Sequence, residues 1–124
     1  MSPRLTLIAA SLIAFGIGLP LLVQIYFPAR WPLDVVEHAI GRDFVNVWVG
    51  GRLLREGNWQ VLFTLQGYFD ALHRLFHPAL PPHFWSYPPS NFLLAVPFGL
   101  LPYGPALAIW TLVGLGLYFW TAGL

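Results

Sequence analysis

The side chains able to do chemistry in this sequence are confined to one stretch. Residues 28–87 hold all five carboxylates, all four histidines and five of the six basic residues, every one of them Arg. Within it, Asp43 heads a run to Glu56 that reads as about four helical turns stopped by Gly57. At 100° per residue Asp43, Asn46, Gly50 and Gly57 share one arc of about 60°, while Phe44, Val47, Trp48 and Gly51 share the next. A carboxylate on such a polar stripe can act as a general base. The same residue at the head of a helix is also a common N-cap, worth about 1 kcal/mol. Arg carries a fork of N–H groups suited to anionic oxygens, and Arg42 and Arg52 are the candidates nearest to Asp43. Arg55 and Glu56 read as a solvated helix face.

Asp70, His73 and His77 form a second constellation. Spacings of three and four put them on one helix face, a pattern able to hold a divalent metal. Pro78 disfavours helical geometry at His77, and no second ligand pair has matching spacing. Neither a metal nor a cofactor is expected.

These residues sit in a chain that water alone would not accommodate. Of 124 residues, 57% are hydrophobic, 17% aromatic and 9% charged, where a soluble domain carries about a quarter charged. A formal charge of +1 leaves no footprint for nucleic acid, and the absence of Cys removes disulfides and thiolate chemistry. Twelve Pro and twelve Gly suggest disorder, but ten Phe, six Trp and five Tyr contradict it. The reading is an all-α integral membrane protein, one membrane-embedded unit over 1–124, in contact with the lipid bilayer. Residues 5–27 are uncharged and reach about 35 Å as a helix, enough to cross a hydrocarbon core of about 30 Å; they close on the interfacial pair Tyr26 and Phe27. A cleaved signal peptide would have a shorter apolar run. Residues 28–88 form a loop of about 60 residues with helices over about 43–56 and 65–76. Trp85 to Pro89 returns the chain to the membrane, 89–102 is a short membrane helix, oblique or re-entrant, and 105–124 is a further transmembrane helix. About three membrane segments result. Arg4 and the free amino terminus favour a cytoplasmic start and an extracytoplasmic loop.

The run Gly41-Arg42-Asp43-Phe44-Val45-Asn46-Val47-Trp48 to Gly57 resembles the first loop of glycosyltransferase family 87, the domain of unknown function 2029 family. There an Asp-Phe pair precedes an aromatic residue, a small residue with Arg-Leu, and then Gly. Ser86-Tyr87-Pro88-Pro89, with Leu93-Leu94, Pro97 to Pro102 and Ala106 to Trp110, is similar to the family's Tyr-Pro-Pro segment and the two helices after it. The resemblance spans residues 5 to 124 and corresponds to the N-terminal third of such a protein, so a fragment or shortened homologue of a GT-C fold is expected. One departure lies at Leu62-Phe63-Thr64, where the family often has Leu-Tyr-Asp.

The resemblance implies an inverting hexosyltransferase of the cytoplasmic membrane. It would move a hexose, mannose in the known cases, from a polyprenyl-phosphate donor to a glycan or glycolipid acceptor on the extracytoplasmic side. Asp43 is then the catalytic base, and Arg42, Arg52, Asn46, Tyr87, Pro88 and Pro89 the substrate-binding residues. Chemically, the attacking hydroxyl must give up a proton, and the leaving phosphate needs cationic donors. Tyr87-Pro88-Pro89 has an equal alternative as an interfacial anchor and helix start. The function of another class is a small accessory or packing membrane protein that keeps this loop. A continuing reading frame with six or more further membrane helices would separate the two, and a metal-binding membrane module is a distant third.

Overall fold

The computed structural model describes residues 3–123, the side chains of residues 24–26 excepted; the interfacial placing of Tyr26 and the last residue of segment 105–124 lie outside the described residues. The chain is 67% helical. Its contacts divide it into two units, at Ile40 and Gly41.

The first unit opens with α1 (Pro3–Tyr26), apolar on every side, with Leu7 and Leu12 about two-thirds exposed. An antiparallel ribbon of β1 (Pro28–Arg30) and β2 (Leu33–Asp34) follows, paired Pro28 to Asp34 and Arg30 to Leu33. The ribbon corrects the all-α expectation. After β2, Asp34 closes the next turn locally, and Leu33 then bridges Ala39: the Asp34 Oδ1 accepts the backbone N–H of Val36 and of His38 at 2.9 and 3.0 Å, a bond short polar side chains make in turns.

In the second unit the order is α2 (Phe44–Arg55), a 3-10 turn (Trp59–Phe63), α3 (Leu65–Leu75), a 3-10 turn (Pro89–Asn91), α4 (Phe92–Gly99) and α5 (Tyr103–Thr121). Helix α2 is the core of the unit, with nine of its twelve residues buried. It stops as the glycine predicts. Gly57 turns left-handed at φ 71°, its N–H reaches Leu54 O at 3.1 Å and Asn58 N–H reaches Leu53 O at 2.9 Å, the Schellman pairing that satisfies the last carbonyls.

Helix α4 crosses α2 at backbone contact. A Cβ on Gly51 would collide with the Ala95 carbonyl, and one on Gly99 with the Gly51 backbone. Ala95 and Gly99, four apart and both buried, present the small face that lets two backbones approach. The short membrane helix expected over 89–102 is thus reduced to eight helical residues, about 12 Å long and too short to cross a bilayer. The break at Leu101 and Pro102 ends it before α5 begins. Among the described residues, two helices are long and apolar enough to cross a membrane, Pro3–Val23 and Tyr103–Thr121. The foot of α5 joins α2 through rings: Phe44 lies 5.7 Å from Tyr103 and 5.3 Å from Trp110, and Trp48 lies 5.5 Å from Tyr103. Beyond that cluster α5 is exposed, Trp120 by 78%.

Candidate functional site

Asp43 precedes the first residue of α2, and the backbone there decides what its carboxylate does. Gly41 (φ 94°) and Arg42 (φ 49°) are both left-handed, which costs a non-glycine residue about 1–2 kcal/mol. The chain then closes tightly: Phe44 N–H donates to Gly41 O, Val45 N–H to Arg42 O and Asn46 N–H to Asp43 O, at 3.0, 3.2 and 3.0 Å. Those are the donors that an N-cap side chain serves. With them already paired, Asp43 makes no capping hydrogen bond and is exposed. The cap alternative for Asp43 is corrected on this point: the residue holds the cap position without the cap bond.

Asn46, one turn on, is 4% exposed. Its Oδ1 accepts the hydroxyl of Tyr68 at 2.5 Å, and its side chain also bonds Tyr87. Burial pushes the Tyr87 phenol above its usual range, the nearby negative charge of Asp43 pushes it further, and the bond from Asn46 pulls it back. Burial, with a smaller effect from Tyr87, drives the Tyr68 phenol higher still. Both phenols are therefore neutral donors at ordinary pH. Asp43, Asn46 and Tyr87, singled out from two distant segments, are brought together.

Trp85 roofs the same stripe. Its ring lies where a Cβ on Gly50 would stand, 2.5 Å from Cζ3, and its centroid is 5.2 Å from Tyr87 and 6.3 Å from Tyr68. Sequence reasoning missed Tyr68 and Trp85 as members of the site. The signal available for Trp85 was Gly50, a small residue on the polar arc that leaves room for a large ring.

Arg52 is not brought to Asp43. Nine residues turn a helix by 900°, which puts Arg52 half a turn away. Its Nη2 donates to Leu101 O at 3.4 Å, its guanidinium stands 5.0 Å from the Trp48 ring centre, and Trp48 Nε1 shares that carbonyl at 2.9 Å. Arg42 is adjacent to Asp43 and half-buried. Pro88 is extended (φ −68°, ψ 160°) and Pro89 opens the 3-10 turn ahead of α4, the helix-start geometry of the alternative reading. Asp70, His73 and His77 are each engaged separately. Asp70 accepts Gln66 Nε2 at 2.8 Å, His73 Nε2 bonds Leu80 O at 3.0 Å, and His77 Nδ1 accepts Ala79 N–H at 3.1 Å. Helix α3 ends at Leu75, so His77 leaves the shared face. Among the described residues no three His, Asp or Glu side chains are grouped to hold a metal.

Fold and site together define a mostly helical chain with, among the described residues, two helices long and apolar enough to cross a membrane, and a polar and aromatic cluster built on one buried helix. No family model, curated protein or solved structure matches it.

Proposed function

We propose that the chain is the N-terminal part, or a shortened form, of a polyprenyl-phosphate-dependent glycosyltransferase of the GT-C class. In this reading α1 and α5 cross the cytoplasmic membrane and the loop between them faces the extracytoplasmic side. The observation that supports it is the Asp43 carboxylate, exposed, relieved of capping by the Gly41–Arg42 turn and set beside Tyr87 and Asn46.

The chemistry follows from that carboxylate. An acceptor hydroxyl attacks the anomeric carbon of a polyprenyl-phosphate hexose, and its proton passes to Asp43 as the new C–O bond forms. The bond from that carbon to the phosphate oxygen breaks, and its electron pair leaves with the polyprenyl phosphate. Tyr87, held neutral, donates a hydrogen bond near the reacting hydroxyls, and Arg42 is the cation placed to meet the leaving phosphate. Arg52 takes no part at the reacting atoms and holds the α4–α5 turn.

The test is transfer of labelled mannose from mannosyl polyprenyl phosphate by membranes carrying the complete reading frame. Asp43→Asn should lower turnover by about 10²–10⁴ with donor binding little changed. Near-normal turnover in that variant would remove the base from Asp43. No transfer by the unaltered protein would favour the accessory membrane protein.

A further inference from the structure

We propose that the aromatic cleft beside this cluster binds one pyranose ring; naming that ring as part of the glycan acceptor rests on the transferase reading, while binding itself does not. The cleft encloses about 330 Å³, and Phe63, Thr64, Tyr68, Phe84 and Trp85 line it. That volume falls within the range of about 300–1,000 Å³ typical of small-ligand sites.

Its chemistry is that of a sugar site. Phe63 and Phe84 are 54% and 61% exposed, so two ring faces stand ready at the rim. A pyranose presents C–H edges that carry slight positive charge, and these pack on the negative face of an aromatic ring. Its hydroxyls must each find a partner once water is displaced. Thr64 Oγ1 spends its proton on Val61 O at 3.1 Å and keeps lone pairs to accept. Trp85 contributes ring surface to the wall, its Nε1–H being buried away from solvent. A groove elsewhere in the unit, lined by Leu94, Trp110, Val113, Gly114 and Leu117, is apolar apart from the Trp110 indole N–H and suits hydrocarbon.

The cleft also communicates with the carboxylate. Tyr68 is in its wall and donates to Asn46, which bonds Tyr87 beside Asp43. A ring seated there shares the wall residue Tyr68 with the cluster around Asn46 and Tyr87.

The experiment is saturation-transfer NMR with methyl α-mannopyranoside as probe and the full chain in lipid nanodiscs. Transfer to the ring C–H protons, above that of empty nanodiscs, is expected for the unaltered chain. Phe84→Ser changes an exposed ring and should abolish the signal with the circular dichroism unchanged. Absence of transfer in the unaltered chain, or equal transfer in Phe84→Ser, would overturn the proposal. So would a fluorophenylalanine at position 84 broadened by paramagnetic lipid with no sugar signal, which would give these rings to the bilayer. Sugar binding without any transferase activity would uphold the cleft and fail only the reading it was joined to.

Discussion

The hydroxyl of Tyr68 on α3 donates to Asn46 Oδ1 on α2 across 22 positions of sequence, and both groups are buried. A buried amide oxygen that loses its donor keeps its desolvation cost, about 1–3 kcal/mol. Tyr68→Phe should therefore lower the melting temperature measured by circular dichroism, although it removes a single oxygen. Asn46→Leu in the Tyr68→Phe background should cost less than the sum of the two separate changes, because the pair then disappears together. Strict additivity in that cycle would mean the bond contributes nothing.

Asp43 gives the opposite pattern. Its side chain caps no helix N–H, so Asp43→Ala should change stability by less than about 0.5 kcal/mol, as surface substitutions do, instead of the roughly 1 kcal/mol of a lost cap. Asn and Ala at this position should then have equal melting temperatures and equally poor turnover. A melting temperature clearly lower for Ala than for Asn would restore the cap.

Local signals explain what was legible. The run read as helical over 43–56 is helical over Phe44–Arg55, because Gly57 stops it through backbone geometry that depends on neighbouring residues alone. The run read over 65–76 is α3, Leu65–Leu75, which ends ahead of Pro78, a residue that disfavours helical geometry just before it. Partners across the fold were not legible. Nothing near Asn46 announces Tyr68, and the stripe taken as polar is covered by Tyr68, Tyr87 and Trp85 from two other segments. The placing of Arg52 away from Asp43 was legible in the 3.6-residue period. The need for a cation close in sequence to the carboxylate had grouped the two.

Alkaline titration tests the burial of Tyr68 directly. Its phenol is raised in the folded state and has a pKa of about 10 when unfolded. Its contribution to stability is fully present below about pH 10. Above that, the unfolded chain releases this proton while the folded chain keeps it, so stability falls by up to about 1.4 kcal/mol per pH unit from this group. Followed by phenolate absorbance, Tyr68 should ionise only as the fold is lost. Tyr68→Phe should reduce by one the number of tyrosines that appear in that cooperative step, and an unchanged number would place Tyr68 in contact with water.

The contact between Gly51 and Gly99 sets how closely α4 approaches the helix that carries Asp43. Added methyl groups there meet backbone atoms, which cannot swing aside as a side chain does. Gly51→Ala and Gly99→Ala should each cost about 3 kcal/mol or more, at the upper end of overpacking penalties. Gly116→Ala, with open space at its Cβ in the interior of α5, should be neutral or stabilising by up to about 1 kcal/mol and serves as the control. A melting temperature unchanged in Gly99→Ala would mean the crossing is looser than backbone contact.

Orientation is tested by reporters, since the donor side of the proposed reaction depends on it. Arg4 precedes an uncharged helix, and charge bias holds positive flanks in the cytoplasm. A periplasm-active enzyme fused after Ala79, in the exposed turn between α3 and α4, should be active, and a cytoplasm-active one fused there should be silent. Fusions at the end of α5 should give the reverse, because two crossing helices with α4 held on α2 return the chain to its starting side. The opposite pattern at Ala79 would put Asp43 in the cytoplasm, where a lipid-linked sugar presented from outside cannot reach it, and the transferase reading would fail with it.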